Sequence, residues 1–385
     1  MIRLISPPCA LVLLQIVTAC AAQHPRVDAA GRPVTSYVYV VPDDVGDGWR
    51  TASLSDTGID QEIIERLVVG ILSREFENIH SVLLVKDGDL VLEEYFYGYQ
   101  REQLHELHSV SKSVTSVLVG IAVDKGMIPD IERPVYAYFP DYKGTAWIDG
   151  EYDVNIKHLL TMSAAVSWDE RSRSLDDSRN SIIAMLQSDD WIRYVLERKR
   201  AETPGQSYNY SGGLTVLLGE ILHRASGLYA DEFAEKHLFG PLDISRYHWG
   251  QHRDGTVNTQ GGLSLTPRDL AKIGYMMLKG GLWNGRRIVS EKWVADSTRA
   301  HIATEPGGWG YGYQWFRIEA DVCGRIIEAF AAIGRGGQYI VAAPAQDQLA
   351  VFTSQPYSNS QRLLLPLTLL KDFVLPAMMP SDACR

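Results

Sequence analysis

The sequence predicts an α+β fold: an antiparallel sheet assembled from the two ends of the chain, flanked by helices, with a helical region inserted between. Ser81 to Lys86 is strand-like, Asp87-Gly88-Asp89 is turn chemistry, and Leu90 to Tyr97 is strand-like again, which together give a hairpin signal. A second strand-rich block lies far downstream, where Ile326 to Ile333, Gln338 to Ala343 and Gln348 to Ser354 are separated by Gly and Pro turns. The stretch 130–260 between them is mostly helical pattern and loop.

In chain order the expected organisation is a leader over 1–22, a linker or N-terminal arm over 23–55, a sheet domain from 56–130 and 260–385, and a helical domain over 131–259. Pro25, Pro33, Pro42 and several Gly and Asp give the arm its loose character. Ser109 to Asp124 carries Val114, Val117, Leu118, Ile121 and Ala122 at helical spacing and closes on Lys125-Gly126. A final apolar helix is expected around Gln361 to Phe373, interrupted by Pro366. The 385 residues are 45% hydrophobic and 22% charged, which is ample material for a core. The net charge of −10, with no long Lys/Arg run, gives the chain no electrostatic reason to seek nucleic acid.

Arg3 and the mostly apolar run from Cys9 to Ala19 read as a secretory leader, too short to span a membrane. Val17-Thr18-Ala19-Cys20 resembles a bacterial lipobox, which would place a lipid on Cys20; the small residues around Ala21 also suit ordinary leader cleavage. An exported protein of a bacterium, periplasmic or membrane-anchored through Cys20, is therefore expected. Cys323 and Cys384 remain and can pair in an oxidising compartment. No Cys-x-x-Cys is present, so neither a zinc ribbon nor a thioredoxin-like site is indicated.

Ser109-Val110-Ser111-Lys112 is the only Ser-x-x-Lys of the chain. Three residues are nearly one helical turn, so both side chains meet on one face. A serine hydroxyl needs a base to take its proton, and a lysine serves only if burial or a nearby cation lowers its pKa. Ser109 also opens the expected helix, where free N–H groups favour developing negative charge. Taken alone, the same four residues also suit a helix-capping serine and a solvated lysine.

Two further elements follow. Pro204-Gly205-Gln206-Ser207-Tyr208-Asn209-Tyr210-Ser211-Gly212-Gly213 places tyrosines just ahead of an apolar helix, where a phenol can pass a proton between nucleophile and leaving group. Gly334-Arg335-Gly336-Gly337-Gln338 lies between two strand-like runs. Gly336 and Gly337 allow close backbone approach to a ligand, and a free N–H there suits an oxyanion hole.

With these three elements in this order, the chain resembles the serine β-lactamase-related family, closest to its class C, esterase and D-peptidase branch. His158-Leu159-Leu160-Thr161-Met162-Ser163, Leu265-Thr266-Pro267-Arg268-Asp269-Leu270-Ala271-Lys272 and Trp309-Gly310-Tyr311-Gly312-Tyr313 strengthen the match, which spans roughly residues 60 to 375. The resemblance implies a β-lactamase/transpeptidase-like fold with the site in a cleft between sheet and helical domain. It implies Ser109 as nucleophile, Lys112 as its activating neighbour, Tyr210 in the place of the tyrosine base, and an oxyanion hole from the N–H groups of Ser109 and Gln338. Which of Lys112 and Tyr210 takes the first proton is left open. Neither metal nor organic cofactor is called for.

Gly212 stands where the lactamase pattern has an Asn that reaches substrate carbonyl groups, which puts efficient β-lactam hydrolysis in question. Arg335 stands where Lys or His is usual; it stays charged and suits a substrate carboxylate. Ser163-Ala164-Ala165 replaces a Ser-Gly turn. Tyr208, Trp168, Trp309 and Trp315 are candidates for lining an apolar cleft.

The expected activity is hydrolysis of an ester or amide, small or peptide-like, through an acyl-enzyme. The alternative is a penicillin-binding-like or ligand-binding protein of weak catalysis on the same fold. An α/β-hydrolase triad is disfavoured because no Gly-x-Ser-x-Gly occurs. A metalloprotease is disfavoured because the histidines of His105-Glu106-Leu107-His108 are three apart rather than four.

Overall fold

A computed structural model of the protein describes residues 36–355 and 364–379. The expected leader with Cys9 and Cys20, and Cys384 in the tail, lie outside the described residues. Cys323 is disulfide-bonded.

Six strands make the body of the sheet: β1 (Ile79–Lys86), β2 (Asp89–Tyr95), β3 (Phe316–Val322), β4 (Arg325–Gly334), β5 (Gln338–Ala343) and β6 (Gln348–Ser354). Their spatial order is β2-β1-β6-β5-β4-β3, with antiparallel neighbours, and short segments extend both edges. The hairpin β1–β2 turns on Asp87 and Gly88, both at positive φ, which is what a two-residue turn matching strand twist requires. The two ends of the chain meet where β1 pairs with β6, for example Leu84 with Ala350 and Val82 with Phe352.

β5 and β6 are buried at every position and β1 at all but its last. A strand covered on both faces reads as a continuous apolar run, which is why these segments show little alternation in sequence. The four longest helices among the described residues are α1 (Gln61–Leu72), α2 (Val110–Asp124), α3 (Gly212–Ser226) and α4 (Pro267–Leu278). On one face α4 comes so close that a Cβ on Gly274 would lie 2.6 Å from Ile340 Cγ2. On the other face Leu370, Val374 and Leu375 of the C-terminal helical segment line a cavity together with Val341 and Ala343.

Three expectations change. β3 was not among the expected strands, although Phe316, Ile318, Ala320 and Val322 alternate with Arg317, Glu319 and Asp321; its half-exposed pattern is that of a strand towards the sheet edge. Pro366 does not interrupt the last helix but sits in its first turn, where its missing N–H costs nothing. The described part of the arm is not loose. Tyr37 donates to Glu94 at 2.6 Å, Tyr39 to the Val91 carbonyl at 2.8 Å, and Trp49 packs edge-on against Trp283 at 5.0 Å.

Arg268 locks that arm to the sheet. Its guanidinium, 3% exposed, bonds Asp47 at 2.6 and 3.0 Å and Glu93 at 2.5 Å, while Arg101 holds Glu93 from the other side at 2.8 Å. Arg268→Ala would leave Glu93 to Arg101 and Tyr95 and take the ion pair from Asp47; with Glu93 still paired, the cost falls below the roughly 3–5 kcal/mol of a fully uncompensated buried charge. Urea denaturation should therefore show a lower midpoint and a loss of unfolding free energy of about 1–3 kcal/mol, with Arg268→Lys recovering part of it.

Candidate active site

The start of α2 is set by a small three-stranded sheet. His105–Glu106 pairs with Leu263–Leu265, which pairs with Tyr247–Trp249, and Leu107 N–H donates to the Leu263 carbonyl at 2.9 Å. His108 then turns the chain at φ +47, a conformation uncommon for a side-chain-bearing residue, and Ser109 follows at the N-cap. The N–H groups of Val110, Ser111 and Lys112 bond the carbonyls of Leu107, His108 and Ser109. The Ser109 hydroxyl makes no cap bond, and its own N–H donates to no acceptor among the described residues. Thirteen of the fifteen α2 residues are buried, so even its polar side chains face protein: Ser113 donates to the Gln314 carbonyl and Thr115 to that of Thr259.

Lys112 is therefore not a solvated lysine. It is 2% exposed, with Nζ 3.0 Å from Ser109 Oγ, 2.6 Å from the Gln260 carbonyl and 3.3 Å from Gln260 Oε1. Burial pulls its pKa down to about 8; the Glu170 carboxylate opposes that fall and the Arg171 cation adds to it. Near neutral pH a useful fraction of the amine is free to accept a proton.

Tyr210 closes the other side. Asn209 fixes its segment: the backbone N–H bonds the Met162 carbonyl at 2.8 Å, and the side-chain amide donates to Val166 and Trp168 carbonyls at 3.1 and 3.3 Å. The Tyr210 ring centre is 5.0 Å from Lys112 Nζ and 4.4 Å from the Arg171 guanidinium carbon. Burial raises the phenol pKa well above its ordinary value, Glu170 raises it further, and the neighbouring Ser109 hydroxyl and Arg171 hold it back. The phenol thus stays protonated at any working pH. Tyr208 stands one step away, edge-on to Tyr311 at 5.0 Å, with Arg171 5.9 Å from its ring centre.

At Gly334 the β4–β5 hairpin approaches the same place. A Cβ there would lie 2.3 Å from the Leu107 carbonyl oxygen, two residues before Ser109. Gly336 and Gly337 take φ of +83 and +88 in the turn, and Gln338 opens β5 with its side chain bonded to the Ser354 backbone. Arg335 is exposed, and its charge joins burial in pushing His108 down to about 4. The contacts nearest Gly337 are Ser354 and Pro366. Trp315 is wholly buried against Phe330 and lines no cleft, whereas Trp168 donates to Glu170 at 2.7 Å. Ala165, where a Ser-Gly turn is usual, sits at φ +56, the left-handed conformation that glycine favours.

Two residues of the site were missed in sequence. Gln260 reaches Lys112 across 148 positions, mainly through a backbone carbonyl, which no side-chain pattern announces. Glu170 Oε2 accepts from Gly212 N–H at 2.7 Å, and a Cβ on Gly212 would lie 3.1 Å from both Glu170 Oε2 and Gln260 Oε1. The only available signal was the glycine itself, which leaves space that another side chain must fill.

An antiparallel sheet, a helical region beside it and a serine in contact with a buried lysine where they meet define a serine hydrolase of the acyl-enzyme class. Within that class the chain belongs to the Beta-lactamase family, whose model matches residues 79–370. It is similar to the 6-aminohexanoate-dimer hydrolase of Paenarthrobacter ureafaciens, with 29% identity over 304 residues, covering 71% of this chain and 72% of that one. A beta-lactamase of Yersinia enterocolitica is 27% identical over a shorter stretch, 40% of this chain and 38% of its own. Among solved structures, a family VIII carboxylesterase superposes with a TM-score of 0.62 at 16% identity, covering 82% of this chain and 97% of that one. The penicillin-binding protein homologue of Pyrococcus abyssi does so with 0.61 at 21% identity, covering 80% and 76%.

Proposed function

We propose that the protein cleaves esters or amides of small or peptide-like acyl groups, with Ser109 as nucleophile, Lys112 as first base and Tyr210 as proton donor to the leaving group. The observation that carries this reading is Lys112 Nζ, buried and 3.0 Å from Ser109 Oγ with its pKa lowered to about 8. Lys112 takes the hydroxyl proton as Oγ bonds the carbonyl carbon. The oxyanion is met by the Ser109 N–H and, across the hairpin, by that of Gln338. The carbonyl reforms as the bond to the leaving group breaks; Tyr210 supplies the proton to that alcohol or amine and regains one from the Lys112 ammonium. Water then repeats the sequence on the acyl-enzyme. The Lys112–Tyr210 pair works as one proton network, so its titration belongs to the pair.

Arg335, Gly336 and Gly337 form the outer wall in this reading, Gly212 the floor and Tyr208 a side wall. A panel of p-nitrophenyl esters, p-nitroanilides and nitrocefin tests it. Ester turnover is expected to exceed nitrocefin turnover, because Gly212 offers no side-chain amide. Arg335→Ala is expected to weaken kcat/KM for carboxylate-bearing esters by about tenfold, in line with loss of a charge-assisted contact, and to spare neutral ones. No turnover of any ester would contradict the reading, and equal losses on both ester types would make Arg335 structural.

Export is part of the same proposal: the leader and Val17-Thr18-Ala19-Cys20 support delivery beyond the inner membrane with a lipid at Cys20. Membrane fractionation of the wild type and Cys20→Ala should show the protein moving to the soluble fraction in the variant; identical partitioning would leave plain leader cleavage.

A further inference from the structure

The lysine beside Ser109 is held by one residue from a distant loop, and from this we infer that Gln260 is the positioning residue of the nucleophile: its two oxygens take both N–H bonds of neutral Lys112, so that the lone pair of Nζ faces the Ser109 hydroxyl. The inference rests on the hydrolase reading above. Nζ has three oxygens within bonding distance, Ser109 Oγ at 3.0 Å, the Gln260 carbonyl at 2.6 Å and Gln260 Oε1 at 3.3 Å. An ammonium fills all three with its three donors. A neutral amine has two N–H bonds and one lone pair. Of the three oxygens only Ser109 Oγ carries a hydrogen, so both N–H bonds go to Gln260 and the lone pair is left for the serine. Transfer of the proton from Oγ to Nζ then needs no rotation about the Cε–Nζ bond, and the ammonium it creates still has three acceptors.

The loop that carries Gln260 is clamped to α2 by residues that flank Lys112. Thr115 donates to the Thr259 carbonyl at 3.1 Å, and Leu263 N–H donates to Ser111 Oγ at 3.2 Å. Thr259 itself, wholly buried, donates to the Thr215 carbonyl of α3 at 2.8 Å. Gly219 makes room for it, since a Cβ there would lie 2.6 Å from Thr259 Cγ2. The Gln260 carbonyl is thereby fixed against the helix it serves. Gly212 does the same for the side chain, because a Cβ there would lie 3.1 Å from Gln260 Oε1 and crowd the amide. Lys112 is also faced by Glu170, Arg171, His108 and Tyr210, all of which stay in place in the variants below.

The test follows kcat/KM for p-nitrophenyl acetate against pH in the wild type, Gln260→Met and Gln260→Glu, all of which keep the backbone carbonyl. Methionine preserves the length of the side chain and removes one acceptor. Its plateau should fall by about tenfold, since the amine can now turn an N–H towards Ser109. Its rising limb should move to lower pH, because an ammonium short of one acceptor gives up its proton more easily. Glutamate has the size of glutamine and sets a carboxylate against Nζ, so its limb should move up by about one pH unit or more. Limbs that stay at the wild-type position, or that move in the same direction, would overturn the inference whether or not the rates fall, because a residue that merely holds the loop leaves the titration alone. Should Gln260→Met not fold, the isosteric Gln260→Glu decides by the direction of its limb. A wild type that hydrolysed no ester would instead sink the hydrolase reading itself, which is a different result.

Discussion

Ser109→Ala is expected to lower ester turnover by about 10^4-fold or more, the scale on which removing an acyl-enzyme nucleophile acts. The fold should be indifferent to the change. A serine at a helix N-cap usually contributes to stability through its side chain, and losing that bond costs about 1 kcal/mol. Here the hydroxyl makes no cap bond and is directed to Lys112 instead, so the substitution removes the reacting atom and little else. Turnover of p-nitrophenyl acetate and the thermal midpoint, measured together, check both halves. Near-normal turnover would refute the nucleophile assignment, and a collapsed midpoint would show that the hydroxyl holds the α2 entry together.

Tyr210→Phe is expected to cost about 10^2- to 10^4-fold in kcat, the usual worth of a positioned acid or base. The loss should be larger for anilides than for p-nitrophenyl esters, because an amine leaves only when protonated and p-nitrophenolate does not need the proton. The pH profile separates the two partners. The reactive form of Lys112 is the neutral amine, whose fraction grows as pH rises through about 8, so wild-type kcat/KM should climb to a plateau above that value. Below it the rate should fall about tenfold per unit. Tyr210→Phe should keep this rising limb at reduced height. A variant that lost the limb would make Tyr210, not Lys112, the first base.

Much of the site was legible because its chemistry is local in sequence. Ser109 and Lys112 are one turn apart on a helix whose valines and leucines announce it, and the bond between them follows from that spacing. Tyr210 was legible from its place just ahead of the apolar run of α3. What was not legible lies in loops that meet only when folded. Glu170 reaches Gly212 across 42 residues, from a stretch without helix or strand period. The arm shows the limit of composition: its Pro, Gly and Asp residues read as a linker, yet Tyr37, Tyr39 and Trp49 are what decide its placement. Strand β3 is the opposite case. Its alternation was present in the sequence, but three charged residues in seven gave it the look of a loop.

The sheet itself was the easiest part to read, since β1, β5 and β6 carry apolar runs, over residues 82–85, 339–343 and 349–352, that are covered on both faces. Lys112 shows the same principle acting on a charged group. A helix buried nearly all round leaves the lysine no water to reach, so its pKa falls and its proton chemistry becomes available.

The most direct test of a lysine-activated Ser109 is intact-mass spectrometry after incubation with a fluorophosphonate, on the wild type and on Ser109→Ala. A single adduct on the wild type, absent from the variant and forming faster as pH rises through about 8, is the predicted result. A folded wild type that takes no adduct, or an adduct that survives Ser109→Ala, would contradict it.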